Sequence, residues 1–180
     1  MKDKKINKLV MTALMACLVT VATMFIRIPV PMTQGYVHLG DSMIFLSVLV
    51  LGKKYGATAA GLGSAMGDLF AGYVHWIPWT LAIKFLMGFI MGAFLERMEK
   101  KGKIRTDGRV SPMEVVAMII AGFEMVTGYY IAAGVIYGSW VTPLFSIPWN
   151  IGQFAVGMVI AVAISAALYR TPAKKYFEIR

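Results

Sequence analysis

The chain is poor in the residues that most enzymes depend on. It has one cysteine, Cys17, so no internal disulfide forms and the redox compartment is not encoded. It has two histidines, His38 and His75, too little material for a metal site. Only nine residues are acidic, and charged residues make up 15% of the 180. Soluble domains average about 25% charged and 45–50% apolar. Here the apolar fraction is 58% and the mean hydropathy is +0.69. Disordered chains, disulfide scaffolds and ordinary soluble enzymes are excluded. An all-α integral membrane protein with short loops remains.

A membrane span needs about 20 apolar residues. Six segments meet or approach that length, at about 9–28, 41–51, 56–73, 78–95, 112–133 and 143–169. The second is half a span, which suits a segment held inside a bundle. Sixteen of the 18 basic residues lie at the N-terminus, around Lys53–Lys54, between Arg97 and Arg109, and after Arg170. The exceptions are Arg27, at the end of the first span, and Lys84, inside the fourth. The loops 29–40, 74–77 and 134–142 have none. This positive-inside pattern predicts a six-helix bundle with both termini cytoplasmic. It also disposes of nucleic acid, which calls for basic residues on one face. The first apolar run is too long for a signal peptide and is read as a retained span. One membrane domain, 1–180, is expected, with no internal repeat.

Small residues mark where helices meet in lipid. The first helix carries Ala13, Ala16, Cys17 and Thr20, a stripe that suits either bundle packing or a partner's docking face. The third carries Gly56, Ala60, Gly63, Ser64, Gly67 and Ala71. The fourth has Gly88 and Gly92 on the stripe of Lys84, and the sixth has Gln153, Gly157, Ala161 and Ser165. The run Gly61–Gly67 does not match a dinucleotide fingerprint: its last glycine is one place late, and no strand precedes it. No cofactor is expected, and any ATP dependence belongs to another subunit.

Ionisable groups inside spans are costly and mark function. Lys84, Asp68 and Asn150 fall about 6–10 Å below one rim, and Glu124 about 15 Å down the fifth helix. Polar groups meeting at one depth suggest a cavity open to the outside. Asp68 is the expected neutraliser of Lys84. Asp41, after Gly40, is expected to cap the second helix. Gln153 heads the packing stripe and is read as an interhelical bond, with Asn150 pointing elsewhere as the ligand contact. Glu124 is either a cavity residue or a buried partner of Lys84. Tyr36, His38, Trp79, Tyr129 and Trp149 supply rings near the same rim, and the twelve-residue loop 29–40 is long enough to close over a ligand. Tyr36, His38, Lys84, Trp79, Glu124, Tyr129, Trp149 and Asn150 form the candidate binding set, and Asp41, Asp68 and Gln153 the structural polar set.

The motifs Tyr36-Val-His-Leu-Gly-Asp41, Gly52-Lys-Lys-Tyr-Gly56, Gly61-Leu-Gly-Ser-Ala-Met-Gly-Asp68, Ile83-Lys84-Phe-Leu-Met-Gly88 and Ile147-Pro-Trp-Asn150-Ile-Gly-Gln153 together resemble an S component of an energy-coupling-factor (ECF) vitamin transporter. The similarity is to the riboflavin, hydroxymethylpyrimidine and pyridoxine branch. The resemblance implies a multi-pass protein of the bacterial plasma membrane that is not an enzyme. It would bind a B-group vitamin or precursor near the outer face. The Ala13, Ala16 and Cys17 face would meet a transmembrane coupling subunit, and two cytoplasmic ATPase subunits would drive toppling of the S component. Relatives carry an acid after Gly-Tyr in the fifth helix, whereas Tyr129-Tyr-Ile-Ala-Ala133 has none. The rival readings are a stand-alone exporter and an intramembrane aspartyl protease using Asp41 and Asp68, which would need carboxyls in contact.

Overall fold

The computed structural model describes residues 2–30, 36–104, 109–172, 175 and 177, with side chains from residue 5 onward. The side chains of Lys2 and Lys4, the residues Arg105, Lys174 and Arg180 of the basic clusters, and residues 31–35 of the long loop lie outside that description. The order of elements is α1 (Lys2–Phe25), β1 (Arg27–Pro29), β2 (Tyr36–His38), α2 (Gly40–Ala71), α3 (Ile77–Lys100), α4 (Pro112–Tyr137) and α5 (Ile147–Leu168). Short 3₁₀ turns, Val74–Trp76 and Thr142–Ser146, lead into α3 and α5. In lipid every backbone N–H and C=O needs a partner within the segment, and long apolar sequences therefore become helices. Among the described residues, five helices are long and apolar enough to cross a membrane when α2 is counted once.

α2 is not straight. Gly52 sits at φ 72°, ψ −174°, a left-handed backbone that breaks the helix and that only glycine adopts readily. A continuous helix would separate residues 48 and 56 by about 12 Å. Instead, a Cβ added to Gly56 would lie 2.6 Å from Val48 Cα, and Ser47 Oγ reaches the Gly56 carbonyl at 3.2 Å. The chain therefore doubles back at Gly52. The first arm, residues 40–51, is buried nearly throughout, so it forms the centre of the bundle and not a lipid-facing wall.

The second arm lies between α1 and α3 at glycine contacts. Gly63 faces the Ala16 carbonyl and Val19, Gly67 faces Thr23, and Gly88 faces Ala57. Thr20 Oγ1 also donates to the Gly63 carbonyl at 2.9 Å. Ala16 and Thr20 are thus turned toward α2, while Ala13 and Cys17 are exposed. Gly72, at φ 80°, ends α2, with its N–H on the Leu69 carbonyl and the Tyr73 N–H on the Asp68 carbonyl. α4 starts with a capping box: Ser111 Oγ accepts from Met113 N–H, and Glu114 Oε2 accepts from Ser111 N–H at 2.9 Å. α4 and α5 close the bundle where Gly122 meets the Phe154 ring.

Candidate functional site

The site lies at the end of the bundle that carries the β1–β2 hairpin. Arg27 pairs with His38, Ile28 with Val37 and Pro29 with Tyr36. This short ribbon brings Tyr36 and His38 over the openings between α2, α3, α4 and α5. Sequence reading anticipated a loop there and no strands.

Under the ribbon is a fully buried ion pair. Lys84 Nζ lies 2.5 Å from Asp41 Oδ1, and both side chains have zero exposure. Asp41 Oδ2 accepts from Gln153 Nε2 at 3.0 Å, and Gln153 Oε1 accepts from the His38 N–H at 2.9 Å. His38 Nδ1 in turn accepts from the Gly40 N–H at 3.0 Å. Gly157 allows the close approach of α5, since a Cβ there would sit 2.9 Å from Asp41 Cβ. One network thus ties β2, α2, α3 and α5 together. Burial, reinforced by the charge of Lys84, lowers the pKa of His38 to about 4. The ring is therefore neutral at pH 7.

The expected pairing of Asp68 with Lys84 is not what forms. Asp41 takes the lysine. Its place in the first turn of α2 points it at α3, and no side chain caps that helix, whose N-cap is Leu39. Asp41 is therefore not a cap. Asp68 instead accepts from Tyr36 Oη at 2.8 Å. Burial and the adjacent Asp68 carboxylate raise the pKa of the Tyr36 phenol, which keeps its proton and donates it. Tyr36 also packs 4.7 Å from the Tyr73 ring and lies under the Arg27 guanidinium at 5.8 Å.

Above the ion pair opens a hollow of about 560 Å³, part of it continuous with solvent. Its wall includes Tyr36 and His38 from β2, Asp68 from α2, Trp76 and Thr80 at the head of α3, Tyr129 and Tyr137 from α4, and Ser146, Asn150 and Gln153 around the start of α5. Tyr129 Oη donates to Thr80 Oγ1 at 3.2 Å, and Trp76 packs 5.8 Å from Tyr129. Aromatic walls with a few fixed polar groups are what a small-molecule site needs.

Of the candidate binding set, Tyr36, His38, Tyr129 and Asn150 line this hollow. Lys84 does not line it: its ammonium lies beneath, 5.4 Å from the Tyr129 ring, neutralised by Asp41. Glu124 is also off the wall, with a buried Oε2 that has no hydrogen-bond partner, and it makes no ion pair with Lys84. Trp79 packs against the core, and Trp149 is 39% exposed on the outside of α5. From the structural set, Asp68 and Gln153 both face the hollow, so Gln153 shares the Asn150 side of α5. Sequence reading noted Trp76 among the rings of the outer loops without placing it in the binding set, and missed Thr80, Tyr137 and Ser146 as wall residues. Helical spacing carried the signal: 129, 133 and 137 recur every four residues, as do 76, 80 and 84, and 146, 150 and 153 follow the same face.

A bundle of apolar helices around a polar, aromatic-walled hollow defines a multi-pass membrane protein that binds a small molecule. The chain belongs to the family of ECF-type riboflavin transporter S components, which matches it over residues 3–170. It is 27% identical over 172 residues to the thiamine precursor transporter HmpT of Lactococcus lactis subsp. cremoris (strain MG1363), covering 95% of this chain and 93% of that one. It is 39% identical over 120 residues to an uncharacterised protein of Pyrococcus woesei, covering 67% of this chain and 74% of that one. The fold resembles the crystal structure of a biotin S component from an ECF-type ABC transporter. The TM-score is 0.75 at 16% identity, over 99% of both chains. It also resembles the S component of a bacterial ECF transporter, with TM-score 0.66 at 19% identity over 91% of this chain and 96% of that one. The chain is therefore a membrane-embedded transporter subunit and not an enzyme. Membership sets aside both the exporter and the aspartyl protease. In keeping with this, Asp41 and Asp68 are held by different partners.

Proposed function

We propose that this chain captures a water-soluble B-group vitamin or precursor in the hollow beneath the β1–β2 hairpin. It opens outward and delivers inward by toppling against a transmembrane coupling subunit powered by two cytoplasmic ATPase subunits. The observation that carries this reading is the hollow itself, whose wall sets aromatic rings beside a few polar groups held in place by the surrounding helices. A single-ring ligand suits a wall of Tyr36, Trp76, Tyr129, Asn150 and Gln153, with hydroxymethylpyrimidine or a pyridoxine-type ligand first and riboflavin next. The similarity to a thiamine precursor transporter supports the first of these.

Topology follows from the same reading. The two arms of α2 count as separate membrane segments, for six in all, with both termini cytoplasmic. The distribution of lysine and arginine supports this assignment. The exposed Ala13 and Cys17 of α1 are the face for the coupling subunit, with apolar neighbours Leu14, Leu18 and Val21 also exposed. The role as ligand contact stays with Asn150 and passes from Lys84 to Gln153, and Lys84 serves to fix the floor.

Calorimetric titration of the detergent-purified chain with hydroxymethylpyrimidine, pyridoxine and riboflavin tests the reading. Saturable one-to-one binding of at least one is expected, weakened when Asn150 is replaced by alanine. No binding of any of the three contradicts it.

A further inference from the structure

Asp68 stands in the hollow with half of its bonding capacity unused. It is 5% exposed and Oδ1 accepts from Tyr36, while Oδ2 makes no hydrogen bond of standard geometry, although the Thr80 hydroxyl approaches the same carboxyl. A buried carboxylate oxygen left bare is costly, and such groups normally find a partner. The nearest buried cation offers no relief, because Lys84 is bound to Asp41. His38 is neutral, with Nδ1 already accepting from Gly40. Among the described wall residues, Asp68 is then the one charged group. A second wall residue carries an unpaired group: the Trp76 indole Nε1–H, in a side chain 7% exposed, is also buried without a partner. Two residues of the wall thus carry unpaired groups, an acceptor on Asp68 and a donor on Trp76.

We propose that Asp68 sets ligand specificity. Oδ2 accepts a hydrogen bond from a ring amino group or protonated ring nitrogen of an N-heterocycle, Trp76 Nε1 donates to an acceptor on the same molecule, and the hollow excludes ligands carrying phosphate or carboxylate. This rests on the hollow being the vitamin site. A phosphate ester would place its charge beside the Asp68 carboxyl, and the Lys84 ammonium beneath is already bound to Asp41.

The test is calorimetric binding to the full chain in detergent. Three probes are used: hydroxymethylpyrimidine with its ring amino group, the analogue lacking that amino group, and the phosphate ester. For the parent chain, loss of the amino group is expected to weaken binding about 10- to 100-fold, as for a hydrogen bond to a charged group. The phosphate ester is expected to bind at least about 100-fold more weakly. In Asp68→Asn, which retains an oxygen for Tyr36, the same loss of the amino group should cost under about threefold, because the two changes remove one interaction. Both ligand comparisons on the parent stand even if that variant does not fold. Equal affinity of the parent for the amino and des-amino probes overturns the assignment, as does tight binding of the phosphate ester. If riboflavin or pyridoxine binds and none of these probes does, the vitamin site survives and the role of Asp68 falls. If nothing binds, both fall.

Discussion

Replacing Asp41 by alanine should damage the protein far more than replacing Asp41 and Lys84 together. At 2.5 Å and an effective dielectric constant of about 20, the Asp41–Lys84 attraction is about 7 kcal/mol. Taking two ions fully out of water costs several kcal/mol each, so the intact pair contributes little net stability. The asymmetry appears on breaking it. Asp41→Ala leaves an ammonium with zero exposure and no counter-ion, and frees Gln153 Nε2 as well. Such uncompensated buried charges cost about 3–5 kcal/mol. Asp41→Asn with Lys84→Met keeps an oxygen for Gln153 and removes both charges, and should recover to within about 1–2 kcal/mol of the parent. Equilibrium unfolding in mixed micelles, titrated with a denaturing detergent and followed by tryptophan fluorescence, measures the parent, Asp41→Ala, the single variants Asp41→Asn and Lys84→Met, and their combination. If Asp41→Ala unfolds within about 1 kcal/mol of the parent, or the double variant shows the plain sum of the single losses, the pair is not the floor of the site.

Other outcomes follow from the same geometry. Because burial lowers the His38 pKa from 6.5 to about 4, the unfolded chain binds more protons between those values. Stability should be full above about pH 6.5 and decline as pH falls toward about 4, by roughly 3 kcal/mol, with a flatter profile for His38→Asn in pH-dependent unfolding. Gly63→Leu should loosen α1, since even a Cβ there would lie 2.7 Å from Val19 Cβ, whereas Gly152→Ala, with open space around it, should be neutral. The same unfolding assay should show a loss of at least about 2 kcal/mol for the first. Asn150→Ala should weaken ligand binding about tenfold or more, and Trp149→Ala less than about threefold, because Asn150 lines the hollow and Trp149 is turned outward.

Much of the fold was legible because lipid imposes a simple rule, that apolar runs become helices. Hydropathy marks where the chain meets lipid, however, and not where a helix stops. α1 begins at Lys2 and α3 continues to Lys100, well beyond their apolar cores. Pro143, the expected start of the last span, lies in the 3₁₀ turn that leads into α5 at Ile147, within an apolar segment that runs Thr142–Leu168. The site was legible in depth but not in azimuth. Counting residues places Lys84, Asp68 and Asn150 in one layer, and cannot say which carboxylate meets the lysine. That choice depends on the doubling back at Gly52, which carries Asp41 to the bundle centre. The ribbon was hidden for another reason: two three-residue strands are too short to show alternation, and Arg27-Ile-Pro29 has none. Glu124 drew attention as an acid in an apolar helix. Its buried Oε2 lacks a partner in the structure too, and nothing around it assigns it a role.

The claim on which the rest depends is that the hollow above the Asp41–Lys84 pair holds a vitamin or its precursor. Native mass spectrometry of the chain extracted gently from membranes measures this directly. One small N-heterocycle bound per chain, lost in Asn150→Ala and kept in Trp149→Ala, is the expected result. A chain that carries no small molecule, or one retained equally by both variants, contradicts the account.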